Sequence, residues 1–353
     1  MTLIGYLTRT HFAEAAIEDA LPEEVGPLAR ALVLVDDEPG SAAIYARVQE
    51  ALDHTTLSLA RTDANAAPQE TTSRILRALS DIRTSTLIAI GGTVAIGQAR
   101  LAAEQATRRR GERLTLIAVP AGLCDFGLAR RVRLGQSQPV VCPRPDEVIA
   151  DPTVLEGAPP RRLAAASMEV LVHAVEAYAS PVYHPPADAL ALEATRRLTR
   201  WLPVALASPR PHREALRELM AAALTTGLAL EKAVGGVDAL AHPIKVELGP
   251  DILHGDLHAP LMAAMADFNT EAVGDRYATM AETFARTTRE PHFSTTIGAF
   301  ARAVGLPSSL REIGIDPARF DRFAEMAAND PRALANPRRL TPGDCRRIFE
   351  AAW

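Results

Sequence analysis

The chain has 353 residues, a length suited to two domains of about 100–200 residues each. Its 38 Lys+Arg against 43 Asp+Glu leave a formal charge of −5, which argues against a nucleic-acid or anionic-membrane partner, since these require a concentrated basic surface. With 48% hydrophobic and 23% charged residues a large core can form, and disorder as the main state is excluded.

In chain order, residues 31–35 (ALVLV) read as a buried strand ended by Asp36 and Asp37, followed by a helix over 41–52. A second strand is expected at 56–60 and a helix at 70–80. Residues 86–90 (TLIAI) form a strand running into Gly91-Gly92, and 94–104 a helix. Residues 114–119 (LTLIAV) make the next strand, stopped by Pro120, and 148–150 the last, before Asp151-Pro152. Alternating strands and helices, with strands apolar on both faces, predict an α/β domain built on a parallel, doubly wound sheet.

Beyond Asp151 the pattern turns helical, over 161–180, 188–202, 212–234, 258–269, 276–286, 296–304, 308–313, 317–329 and 342–352. Two domains follow, 1–155 α/β and 156–353 all-α. Cys124, Cys142 and Cys345 are far apart and form no CxxC, which fits a reducing cytoplasm. No secretory leader is expected from the N-terminal stretch, which lacks a basic segment followed by an apolar run. The longest uncharged stretch, 84–99, is too short and too rich in glycine to cross a membrane.

Candidate chemistry falls in two places. Gly91-Gly92 ends a strand and opens a helix, an arrangement that lets the backbone approach a phosphate closely; it is also a common tight connection. Asp36, at the end of an earlier strand, reads either as an acceptor for a ribose diol or as a capping or turn aspartate. In the helical half, Glu169 and His173, Asp238 and His242, and His254 and His258 each stand four apart, so each pair shares a helix face. On spacing alone Glu169, His173 and Glu176 read as the solvated side of a helix whose apolar stripe is Met168, Leu171, Val172 and Val175. Asp238 lies among apolar neighbours, where a buried charge needs a partner or a cation. Together the three pairs form a carboxylate and imidazole set able to bind a divalent transition metal. His11, His54, His184, His212 and His292 lack paired context and read as surface or locally bonded.

The runs IAIGGTVAIGQAR, VIADP, RRLAAASMEVLVHAVEAY, DALAHPIKVEL, HGDLHAPLMAAMADFN and NPRRLTPGDCRRIFEAAW occur in one order from about residue 30 to the end. In that order they resemble the iron-containing alcohol dehydrogenase and dehydroquinate synthase-like superfamily. Gly97, the HxxxH of His254 and His258, and the NPR-type tail are most similar to its maleylacetate reductases. The resemblance implies a dinucleotide-binding N-terminal domain, a helical C-terminal domain, an NAD(P)H cofactor and a homodimer. It places Gly91, Gly92, Thr93 and Val94, with Pro120 and Ala121, at the dinucleotide, and Asp36 near its ribose. Glu169, His173, Asp238 and His254 fall on the metal-ligand positions of the metal-dependent members, for Fe or Zn. His242 and His258 fall beside nicotinamide and substrate as the candidate catalytic residues.

The departures from the family pattern are specific. Thr93 replaces a glycine and Val94 a serine, and 120–126 (PAGLCDF) lacks two expected hydroxyls. Glu169 stands for the usual aspartate and Asp238 for a usual histidine. The expected function is an NAD(P)H-dependent reductase of a small carbonyl or enone substrate, with His242 or His258 donating the proton. The alternatives are a non-redox lyase, isomerase or cyclase on the same fold, and an inactive relative that binds a partner.

Overall fold

The computed structural model of the chain describes residues 6, 8–26, 29–38, 40–62, 68–84, 86–111, 113–124, 126–132, 140–207, 212–232, 235–249, 252–284 and 292–353. The chain divides into two compact units at Ala158/Pro159.

The first unit is built on β1 (Arg9–Phe12), β2 (Arg30–Val35), β3 (Thr56–Arg61), β4 (Thr86–Gly91), β5 (Thr115–Pro120) and β8 (Glu147–Ala150). These make one parallel sheet in the order β1-β8-β5-β4-β2-β3, and β6 (Arg131–Val132) pairs with β7 (Val140–Val141) in a small antiparallel ribbon. Val33, Val35, Ile88 and Ile90 pack with Ile44 and Val48 of α3 (Ser41–Ala51). Ile17 of α1 (Ala16–Asp19) and Leu21 of α2 (Leu21–Val25) join the same cluster. On the alternate positions Leu32, Leu34, Leu87 and Ala89 are fully buried as well. There α4 (Pro68–Ile82) and α5 (Thr93–Arg110) pack on the strands and on each other. Burial on both faces explains the continuous apolar runs, because in a strand successive side chains point to opposite sides.

The right-handed crossover rule sets the layering. β2 leads to β3 on one side, and the chain then returns past β2 to β4, so the covering helix changes face. The winding therefore reverses between β2 and β4, at the carboxyl ends that carry Asp36 and Gly91-Gly92. β1 has no counterpart in the sequence reading. Its RTHF is polar and short, and it forms because it pairs with β8, from Arg9↔Glu147 to Phe12↔Ala150.

In the second unit the described helices are α6 (Pro160–Ala179), α7 (Pro185–Leu206), α8 (Arg213–Ala229), α9 (Gly236–Leu248), α10 (His254–Thr283), α11 (Phe293–Ala303), α12 (Phe320–Asn329) and α13 (Pro342–Ala352). α6 is central: it packs on α7, α8, α9 and α10, and is buried around nearly its whole circumference. Where α6 meets α10, a Cβ on Gly255 would lie 1.8 Å from the carbonyl oxygen of Ala165, so glycine is required for that approach. Two imidazoles serve as N-caps: His184 Nδ1 accepts the amide of Ala187, and His212 Nδ1 that of Ala215.

The structure differs from the sequence reading at four further points. α9 is a helix despite Pro243 in its interior. The helices expected at 258–269 and 276–286 are one helix bent at Val273 (φ −138, ψ 20), with residues 285 and 286 outside the described set. Residues 308–313 form turns rather than a helix, between Gly305 and Gly314, both at positive φ. The helix expected at 212–234 ends at Ala229 and tightens into a 3₁₀ turn at Leu230–Lys232.

Candidate active site

In the first unit the turn after β4 is closed from within. Asp36 Oδ2 accepts the amide of Gly92 at 2.8 Å, and Oδ1 accepts the Ser41 hydroxyl at 2.5 Å and the Glu38 amide at 3.2 Å. Gly91 has φ +146, and a Cβ there would lie 2.1 Å from Asp36 Oδ2. Of the two roles the sequence left open, this geometry gives Asp36 the turn-bracing one, since three donors of the protein already hold its carboxylate. Gly92 is the N-cap of α5, which carries no side-chain cap, and Val94 in the first turn is exposed. Pro120 lies opposite Gly91 in the β4–β5 register, and the amide of Ala121 donates to the Gly91 carbonyl at 3.1 Å. Gly91, Gly92, Thr93, Val94, Pro120 and Ala121 thus gather at one end of the sheet. Asp125 lies outside the described residues.

In the second unit α6, α9 and α10 bring Glu169, His173, Asp238, His254 and His258 together, with His242 one turn beyond Asp238 on α9. His173 Nε2, His254 Nε2 and His258 Nε2 lie 3.9, 3.7 and 3.6 Å from Asp238 Oδ1. Glu169 Oε1 is 3.6 Å from His254 Nδ1, and Arg332 Nε is 2.6 Å from Asp238 Oδ2. The His254 and His258 rings are 4.5 Å apart between centroids. His173, Asp238 and His258 offer ligand atoms all within 4.8 Å of one another. The solvated-face reading of Glu169, His173 and Glu176 is corrected here. Glu176 is buried and His173 largely so, both turned to α9, while Glu169 is partly exposed.

Glu176, read as solvated, is buried and does structural work. Its carboxylate accepts the amides of Gly235 at 3.0 Å and Val237 at 2.8 Å, which fixes the start of α9 and with it Asp238 and His242. A Cβ on Gly235 would meet Glu176 Oε1 at 2.8 Å, so Gly235-Gly236 in the sequence was the signal for this contact.

The electrostatics follow from burial set against these pairs. Burial opposes ionisation of Asp238, but the imidazoles and the Arg332 guanidinium prevail and hold it well below the usual carboxylate range. Burial likewise opposes charge on Glu169, and His254 with the other imidazoles holds it at about 2. His173 is drawn down by burial and raised by Asp238 and Glu169, to a net of about 9. Burial and then His254 push His258 down to about 4. His258 is fully buried and turned toward Asp238, which does not suit the proton-donor role read from the sequence. His242, one turn beyond Asp238 on α9, is half-buried, and burial followed by the Arg332 charge lowers its pKa.

A second candidate group, His11, Glu24 and Glu147, lies in the first unit. Its carboxylates are bridged by Arg9, to Glu147 and, at 2.8 Å, to Glu24.

Residues 163–353 match the Fe-containing alcohol dehydrogenase family, C-terminal. The chain belongs to the iron-containing alcohol dehydrogenase family. It is 36% identical over 223 residues to 1,3-propanediol dehydrogenase of Citrobacter freundii, which covers 59% of this chain and 55% of that protein. It is 29% identical over 220 residues to 4-hydroxybutyrate dehydrogenase of Cupriavidus necator, covering 58% of this chain and 55% of that protein. The chain thus spans about half the length of these curated relatives in its matches. Among solved structures, alcohol dehydrogenase from Oenococcus oeni superposes with a TM-score of 0.84 at 22% identity, over 99% of this chain and 100% of that one. No described helix is long and apolar enough to cross a membrane.

Proposed function

We propose that this protein is an NAD(P)-dependent oxidoreductase that interconverts a small alcohol and its carbonyl compound with a divalent metal. The observation that carries this reading is the convergence of three imidazole Nε2 atoms on one oxygen of Asp238. His173 Nε2, His254 Nε2 and His258 Nε2 are buried without a hydrogen-bond partner among the described residues. Buried polar atoms are rarely left so, and a cation would satisfy them. The donor set, imidazole nitrogen and carboxylate oxygen, suits zinc or ferrous iron. His173 and Asp238 would hold the metal, with Glu169, His254 and His258 around them.

When bound, the nicotinamide supplies or receives the hydride and the metal polarises the carbonyl oxygen. The chain's own residues do the rest. Gly92, with room where a Cβ would stand, lets the backbone approach a pyrophosphate, and the N-terminus of α5, which carries no side-chain cap, offers the positive end of a helix to it. His242, with its pKa lowered by burial, is a neutral imidazole near pH 7. It takes the proton of an alcohol hydroxyl in the oxidising direction and returns it in the reducing direction.

Family membership and relatives named as dehydrogenases support this reading over a lyase, isomerase or cyclase on the same fold. The finer reading, a maleylacetate reductase-like reduction of an enone, rests on the HxxxH of His254 and His258.

Calorimetric titration of NADH and NADPH into metal-stripped protein, repeated with zinc or ferrous iron, tests the proposal. Micromolar binding of either dinucleotide, followed by metal-dependent turnover of small aldehydes, is expected. Absence of binding up to millimolar dinucleotide, with and without metal, would overturn it.

A further inference from the structure

Ligand separations in the second unit distinguish two possible metal-binding sets. In a tetrahedral zinc site with bonds of about 2.0–2.1 Å, neighbouring ligand atoms stand about 3.4 Å apart. Nε2 of His173, His254 and His258 already lie 3.9, 3.7 and 3.6 Å from Asp238 Oδ1. These imidazole-to-Asp238 separations need to shorten by only a few tenths of an ångström, and His173, Asp238 and His258 already have ligand atoms all within 4.8 Å of one another. Arg332 takes the other oxygen of Asp238 at 2.6 Å, which leaves Oδ1 as the atom turned to the imidazoles.

Glu169 is placed differently. Its nearest imidazole partner is Nδ1 of His254, at 3.6 Å, while Nε2 of that ring faces Asp238. Its side chain is 33% exposed, against 0% for His258 and 9% for Asp238. A carboxylate on the far nitrogen of an imidazole fixes the tautomer and aims the near nitrogen.

We propose that this chain holds its metal through His173, Asp238, His254 and His258, and that Glu169 is a positioning residue that orients His254. The proposal rests on the metal-dependent reading above and deepens it: three imidazoles and one carboxylate replace the two and two that the positional resemblance implies. His258 thereby joins the metal site, and the HxxxH of α10 becomes a pair of ligands one helical turn apart.

X-ray absorption on the zinc-loaded full chain tests this, because scattering from imidazole rings counts bound histidines. Three imidazoles are expected in the unaltered protein, three in Glu169→Gln and two in His258→Gln. Zinc affinity, measured by competition with a chromogenic chelator, should fall about 10–100-fold in Glu169→Gln. Two imidazoles in the unaltered protein, or a changed set of metal-bound atoms in Glu169→Gln, would overturn the assignment and leave the metal-dependent reading intact. A protein that takes up no zinc and no ferrous iron would overturn both. His258 is fully buried and its variant can fail to fold, so the spectrum of the unaltered protein decides alone.

Discussion

Asp36 reaches across the reversal of the sheet to accept the amide of Gly92, 56 residues further along the chain, at 2.8 Å. The contact leaves no room for a side chain on Gly91, whose Cβ would stand 2.1 Å from the carboxylate at φ +146. Gly91→Ala is therefore expected to destabilise the protein by about 3 kcal/mol or more in urea denaturation. Asp36→Ala, which orphans the Gly92 amide, should cost about 1–3 kcal/mol. In the double variant the clash with the carboxylate is gone and only that with Ala95 Cβ, at 2.9 Å, remains, so the combined loss should be less than the sum of the two separate losses. Strict additivity would show that Asp36 does not brace the turn.

Gly255 sets the distance between α6 and α10. A methyl group there collides with the Ala165 carbonyl, so Gly255→Ala must push apart the helices that carry Glu169 and His173 on one side and His254 and His258 on the other. A loss of about 4 kcal/mol or more is expected. Any folded fraction should bind zinc at least tenfold more weakly, read by chelator competition. Unchanged affinity in a folded variant would separate this helix crossing from the site.

Glu176 gives a pH dependence of defined sign. Burial raises its carboxyl from 4.5 to about 7, against the two amides and His173, which lower it. The folded state therefore binds this proton more tightly than the unfolded chain, and the group's contribution to stability falls as pH rises from about 4.5 to about 7. Glu176→Gln mimics the protonated form. Its stability relative to the parent should improve across that window, by a few kcal/mol, and level off above it. A difference that stays flat between pH 5 and pH 8 would exclude the raised pKa.

His242→Gln tests the proton path. Turnover should fall about 10²–10⁴-fold while zinc content and dinucleotide affinity stay within a factor of two or so, because the loss is confined to general acid–base chemistry. Full retention of turnover would remove His242 from the mechanism.

The sheet was legible because each central strand is buried on both faces, which writes its length into the sequence as an apolar run. β1 was not, since Arg9 and His11 are explained only by Glu24 and Glu147, residues distant in the chain. α9 was hidden by Pro243, whose missing amide normally argues against a helix interior, and by glycines at its start. What keeps it helical is packing, together with a cap supplied by Glu176 from another helix. The i,i+4 pairs showed which residues share a turn, but no local rule could show three turns meeting at Asp238. Arg332 went unread for the same reason: it follows Asp238 by 94 positions and belongs to a short 3₁₀ segment, Pro331–Ala335, with no motif of its own.

The pairing of β1 with β8 bears on how the first unit is made. β1 is the outermost strand on its side and has β8 as its sheet neighbour, so residues 9–12 wait for residues 147–150 before their backbone groups are satisfied. During synthesis β2, β3, β4 and β5 emerge in an order that lets each dock on a neighbour already present, while the strand translated first is paired last. A nascent chain that has emerged from the ribosome only as far as residue 146 should hold a four-stranded sheet with its amino-terminal segment still open to proteases, and emergence of residues 147–150 should close it.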